Sequence, residues 1–206
     1  MFRKSALLLS LVIAWVAMIL PLSAQEKVVI VPLFGDDAPT SKVVFITNGT
    51  FTGNLGGPEG ADAKCQAEAD NLPGSRVIGK KFKAWISGGL CTDFTSGCRI
   101  FIRSELPYRM LDGTLVAASF DALIRGQIRH NIDIKADSVG RARVSVWTGL
   151  EADGQESEAT CGAWTMDGEN GLLGASDAPI NQESRIWTED GADVCFFPSA
   201  LYCFEQ

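Results

Sequence analysis

Apolar and polar positions along the chain alternate with a period of two in several short windows and follow a helical period in only two. Residues 42–47, Lys-Val-Val-Phe-Ile-Thr, are rich in β-branched and aromatic side chains and run into the turn signal Asn48-Gly49, which predicts a strand. Residues 82–87, 99–103 and 143–149 read as further half-buried strands, and residues 200–204 as a closing one. Residues 58–70 predict a short helix: alanines and straight-chain residues fill it, and Ala61, Cys65 and Ala69 recur one turn apart. Asn71, Pro73 and Gly74 stop it. A second short helix is predicted over 119–126, with Ser119 as N-cap and Gly126 at its end.

Between the last two strands, residues 150–193 show little periodicity and much glycine, acid and amide. A connection of that length inside a domain is uncommon and often functional. The expected fold class is α+β: a single domain of short strands, two short helices and a long irregular loop region.

The first residues belong to a different pattern. Met1-Phe2-Arg3-Lys4 is a short basic start, residues 6–20 are almost unbroken apolar, and Pro21-Leu22-Ser23-Ala24 reads as a cleavage region. Residues 1–24 are therefore expected to be a signal peptide, with an uncleaved anchor as the other reading; the apolar run is short for a bilayer span of about 20 residues. Residues 25–41, with Pro32, Gly35 and Pro39, are expected to be an N-terminal connector, and the domain to run over 42–206. The expected location is secreted or periplasmic.

Charge narrows the partners. The chain's formal charge of −7 becomes −9 once the leader, which holds Arg3 and Lys4 and no acid, is set aside. That field repels nucleic acid, heparin-like polyanions and anionic membrane surfaces. The 46% apolar content argues against disorder. No nucleic acid and no membrane span beyond the leader are expected; a surface glycan or an extracytoplasmic protein remains as partner.

Six cysteines behind a leader point to disulfides formed in an oxidising compartment, and six admit 15 pairings, so spacing leaves the connectivity open. A thiolate zinc site is disfavoured, because no Cys-x-x-Cys occurs and His130 is the single histidine.

Several segments together resemble a known family. These are Cys65-Gln66-Ala67 in the first helix, Gly79 through Ser87 around Trp85, Val146-Trp147-Thr148-Gly149, Cys161-Gly162-Ala163-Trp164, Cys195, and the terminal Leu201-Tyr202-Cys203-Phe204-Glu205. They resemble the endostatin domain of collagens. With the opening Phe51-Thr52-Gly53-Asn54-Leu55-Gly56-Gly57 they are similar also to bacterial secreted endostatin-like domains, both being variants of the C-type-lectin-like fold. The resemblance implies nested disulfides, Cys65 with Cys203 and Cys161 with Cys195, leaving Cys91 and Cys98 to pair locally. It places Trp147 and Trp164 in the core. The zinc and heparin sites of collagen endostatins do not carry over, since this chain has one histidine and is acidic.

The candidate ligand-binding residues lie in the irregular region: Trp187, either a core residue or a platform for a sugar ring, and Glu151, Asp153, Glu156 and Glu158. Asp167, Glu169, Glu189 and Asp190 are candidate calcium ligands, since calcium takes 6–8 oxygens, against the plainer reading of a solvated acidic loop. The calcium and sugar triplets of calcium-dependent C-type lectins are missing. No cofactor is required by any motif.

A catalytic relay would have to use His130, which no Gly-x-Ser-x-Gly accompanies. The expected function is a non-catalytic recognition domain binding a surface glycan or protein. A structural envelope module without a small ligand is the alternative, and a glycan-cleaving hydrolase using Glu156 and Glu158 a third reading.

Overall fold

Residues 200–205 are apolar on both alternating faces up to their last residue, and a strand of that kind is stable only between two layers. In the computed structural model, which describes residues 40–72, 77–88, 90–91, 99–137, 140–177 and 185–206, that strand lies inside the sheet with every residue buried. The described residues fall within the unit Asp37–Gln206. The leader read at 1–24, nearly all of the connector read at 25–41, and the local pairing of Cys91 with Cys98 lie outside the described residues.

In chain order the elements are β1 (Lys42–Ile46), α1 (Gly57–Asp70), β2 (Phe82–Ala84), β3 (Leu90–Cys91), β4 (Arg99–Ile100), β5 (Tyr108–Met110), β6 (Leu115–Ala117) and α2 (Phe120–Ile124). There follow β7 (Ser145–Trp147), α3 (Cys161–Trp164), β8 (Asn170–Ala175), β9 (Gly191–Val194) and β10 (Ala200–Glu205). The fold is α+β, mostly sheet, and no described helix is long and apolar enough to cross a membrane.

Eight strands form one sheet in the order β6-β5-β1-β10-β7-β8-β9, with β2 also pairing β10. β10 runs antiparallel to β1 along one edge; its other edge is shared by β2, antiparallel, and β7, parallel. Because side chains alternate along a strand, β1 and β10 feed two clusters. Val44, Ile46, Tyr202 and Phe204 join Trp85, Trp187 and α2 on one face. Val43, Phe45, Leu201 and Cys203 join α1, Trp147 and Trp164 on the other.

Helix α1 also completes the outer edge of β2. Asp62 Oδ1 accepts from the Ala84 N–H and, one turn on, Gln66 Oε1 accepts from the Phe82 N–H, both at 2.9 Å. The spacing of four residues matches the strand repeat of two, so one helix face covers alternate N–H groups of an edge strand. In α2, Ser119 caps as its sequence position suggests, its side chain accepting from the Ala122 N–H.

Two expectations need correction. Residues 150–193 are not irregular throughout, because β8 and β9 form an antiparallel pair that extends the sheet from β7. Gly171 and Gly174 hide β8 from a propensity reading, yet each is required by close approach. A Cβ at 171 would meet Cys161 Sγ at 2.6 Å, and one at 174 the Trp187 carbonyl oxygen at 2.0 Å. The second correction is a third helical segment, α3, in addition to the two expected helices.

Candidate functional site

The excursion between β7 and β10 carries the least regular sequence and the most unusual backbone. Segment α3 is a left-handed turn: φ is +52° at Cys161, +59° at Gly162, +53° at Ala163 and +64° at Trp164. Left-handed geometry costs roughly 1–2 kcal/mol per non-glycine residue, and it persists only where the surroundings enforce it. Three constraints do so. Thr160 Oγ1 accepts from the Ala163 N–H, the Trp164 N–H bonds the Thr160 carbonyl at 2.7 Å, and Trp164 Nε1 donates to the Ser87 carbonyl and hydroxyl. At its start Cys161 is disulfide-bonded to Cys195, beyond the end of β9. A second disulfide, Cys65–Cys203, joins α1 to β10, so the two bridges are nested.

A further anchor sits in the region read as irregular. Trp187 is 1% exposed, its ring 5.2 Å from that of Trp85 and 5.9 Å from that of Tyr202. It is a core residue and offers no face to a sugar, which corrects its place among the ligand-binding candidates. The large apolar area of an indole, once β8 carries the chain back over the sheet, is worth more buried than displayed. Tyr202 beside it and Tyr108 in the same cluster are buried, and desolvation, with Asp133 and Glu205 respectively as the leading charges, pushes both phenols well above their usual range.

Four of the acidic candidates serve the backbone. Asp153 Oδ1 accepts from the Gln155 N–H, Glu156 Oε1 from Gly88, Asp167 Oδ1 from Asn54, and Glu189 Oε2 from Ala152, all at 2.8–3.0 Å. Glu189 also pairs with Arg185 at 3.4 Å. Glu151 and Glu158 are exposed. Glu169, exposed, lends its carbonyl to the Cys195 N–H. Burial and the neighbouring Asp177 raise the Asp190 carboxyl above its ordinary value. Among the described residues no three acidic, histidine or cysteine side chains, Asp167, Glu169, Glu189 and Asp190 included, converge as a metal site would need. The acids replace ladder hydrogen bonds that an irregular segment lacks.

Beside these acids the excursion displays large apolar side chains. Phe196 is 67% exposed and Phe197 57%, with Val194 at 42% and Met166 at 51%. The two phenyl rings stand 6.1 Å apart, nearly edge to face. Their sequence signal is the pair of adjacent phenylalanines directly after Cys195 and before Pro198. From Val144 to Gln206 the sequence holds twelve acids and a single base, Arg185. Elsewhere, a shallow groove of about 500 Å³ between α1 and β2 is lined by Asp62, Gln66, Lys81, Phe82, Lys83 and Ile102. His130, the histidine a relay would need, has Nδ1 against the Asn131 carbonyl at 2.9 Å, and its neighbour Asp133 is bound by Arg141 at 2.6 Å.

No curated protein matches the chain. A family model described as a protein of unknown function, DUF1554, matches residues 48–180, more than half of the sequence and from the end of β1 to past β8. The chain belongs to the DUF1554 family.

Proposed function

We propose that this chain is a non-catalytic recognition domain of the C-type-lectin-like, endostatin-like class that works outside the cytosol, secreted or periplasmic, and binds a protein partner. The observation that carries the reading is the exposed Phe196–Phe197 pair on a segment clamped by Cys161–Cys195, since contiguous exposed aromatics in a folded domain mark interaction surfaces. Two disulfides fit an oxidising compartment. A protein is favoured over a glycan because Trp187, the candidate sugar platform, is in the core and the candidate calcium carboxylates do not converge among the described residues. The non-catalytic reading rests on the engagement of His130 and Glu156 with backbone groups.

The test is binding of the full chain, folded with its disulfides, to a panel of envelope and extracellular proteins and to a glycan array with and without calcium. Saturable protein binding that chelator leaves unchanged is the expected result. Calcium-dependent glycan binding with a blank protein panel, or hydrolysis of a labelled glycan that Glu156→Gln abolishes, overturns it. A blank on both arrays moves the assignment to a structural envelope module.

A further inference from the structure

We infer that the Phe196–Phe197 turn is the docking point for a cationic protein segment, one that places an apolar or aromatic side chain against the phenyl rings and lysine or arginine beside it. This rests on the protein-recognition reading above and adds the partner's chemistry.

The turn is built to present its rings. Cys195 is fixed by its disulfide, by its N–H to the Glu169 carbonyl at 2.8 Å and by its carbonyl, which accepts from Gly53 at 2.7 Å. Two residues past the rings, Ser199 exchanges backbone hydrogen bonds with Phe51 in both directions, and the Phe197 N–H closes the turn on the Val194 carbonyl at 3.0 Å. Both ends of a five-residue segment are therefore held, and rings presented on a held segment lose little entropy when a partner covers them. Aromatic side chains in such positions carry a large share of interface energy.

Docking is by side chains and not by strand addition. β9 is the terminal strand of the sheet, and Val194, one residue before the ladder bond of Cys195, turns its N–H away from β8. The Asp193 carboxylate takes that N–H at 2.7 Å. A strand arriving at this edge would find the donor taken and a negative charge in place, a device that guards edges against pairing.

The ground around the rings selects the partner's charge. Asp193 precedes the turn, Glu169 pairs with Cys195, and Asp167 binds Asn54, next to the Gly53 that holds Cys195. The one base of this segment, Arg185, is engaged by Glu189, and Lys64 on α1 is engaged by the Leu55 carbonyl at 3.1 Å and the Phe51 ring. Apolar rings on predominantly acidic ground are complementary to apolar groups flanked by the opposite sign.

The experiment selects random dodecapeptides displayed on phage against the full chain with its disulfides formed. Recovered peptides are then titrated against the parent chain, Phe196→Ser/Phe197→Ser and Asp193→Asn/Glu169→Gln. Both pairs are exposed, and unchanged near-ultraviolet circular dichroism checks each fold. The expected binders carry lysine or arginine beside leucine, phenylalanine or tryptophan. They weaken about tenfold or more on the phenylalanine variant, less on the acid variant, and weaken from roughly 50 to 500 mM salt. Acidic or uncharged binders, or no enrichment, overturn the inference. Cationic binders that the phenylalanine variant holds equally well overturn it while leaving protein recognition standing at another surface. Sedimentation of the parent chain covers the remaining occupant: self-association abolished by Phe196→Ser/Phe197→Ser would assign the rings to a second copy and overturn it too.

Discussion

Trp85 Nε1 donates to Thr188 Oγ1 at 3.0 Å across 103 residues of sequence. Thr188 passes the connection on: its hydroxyl donates to the Leu150 carbonyl at 3.1 Å, and its own carbonyl accepts from the Thr148 hydroxyl. One buried threonine thus ties the start of the excursion, its end and the strand region of β2 to the same point.

Thr188→Val keeps the shape and removes the hydroxyl, leaving the Trp85 indole N–H and the Leu150 carbonyl without it. A loss of about 1–3 kcal/mol is expected, with Thr188→Ser retaining most of the stability. Urea unfolding followed by tryptophan fluorescence decides it; equal stability of the valine and serine variants would show that the hydroxyl carries no net energy.

Gly53 lies flat against the Cys161–Cys195 bridge. An alanine Cβ there would stand 2.2 Å from Cys161 Sγ and 2.7 Å from the Cβ of each cysteine, so Gly53→Ala forces the bridge or the backbone to move. The expected cost is about 1–3 kcal/mol by overpacking. Gly168→Ala is the control, since nothing lies within 4 Å of a Cβ at that position. Thermal melts of the two variants should separate clearly.

The two disulfides among the described residues differ in the chain they close, 138 residues for Cys65–Cys203 and 34 for Cys161–Cys195. On the chain-entropy account they contribute up to about 5 and about 4 kcal/mol. Against a typical net stability of about 5–15 kcal/mol, Cys65→Ala/Cys203→Ala should approach or pass the unfolding threshold. Cys161→Ala/Cys195→Ala should remain folded but lose hydrogen-exchange protection in residues 160–166, where the left-handed turn has lost its clamp. Uniform protection in the second variant would show that Trp164 and Thr160 suffice to hold the turn.

Asp190 and Asp112 titrate with opposite consequences. Burial, then the Asp177 charge, raises Asp190, so the folded state binds this proton more tightly than the unfolded state, and stability falls as pH rises above 3.8. Burial opposes ionisation of Asp112 too. The Thr114 hydrogen bonds, Arg141 and His130 outweigh it and lower the carboxyl, so its contribution is present above 3.8 and lost on acidification. Asp190→Asn should raise the melting temperature at neutral pH and change little in strong acid; Asp112→Asn should lower it at neutral pH. Melting curves from pH 3 to 7 that show the same sign for both would contradict this account.

Strand β10 was legible because its residues are apolar at nearly every position, and α1 because Ala61, Cys65 and Ala69 recur one turn apart. Ser119 announced α2 for the same local reason. β5 and β6 went unread: three residues each, they exist as strands through pairing with β1 and with each other. The site was read in part. The loss of periodicity points to residues 150–193 and stops short of Phe196 and Phe197, whose exposure only the fold shows, while Trp187 inside that stretch lies in the core.

The chain's own order of residues was enough to determine the α+β class, the strand with two apolar faces and the capped helix, because each depends on neighbours a few positions apart. Tertiary structure alone decided that glycine-rich residues 170–175 form a strand, that Cys161–Trp164 turns left-handed, which acids brace the backbone, and which aromatics face solvent. Those outcomes depend on groups tens of residues away arriving at one place, on the exclusion of a Cβ by a disulfide or a carbonyl, and on the limited space the core has for one more ring.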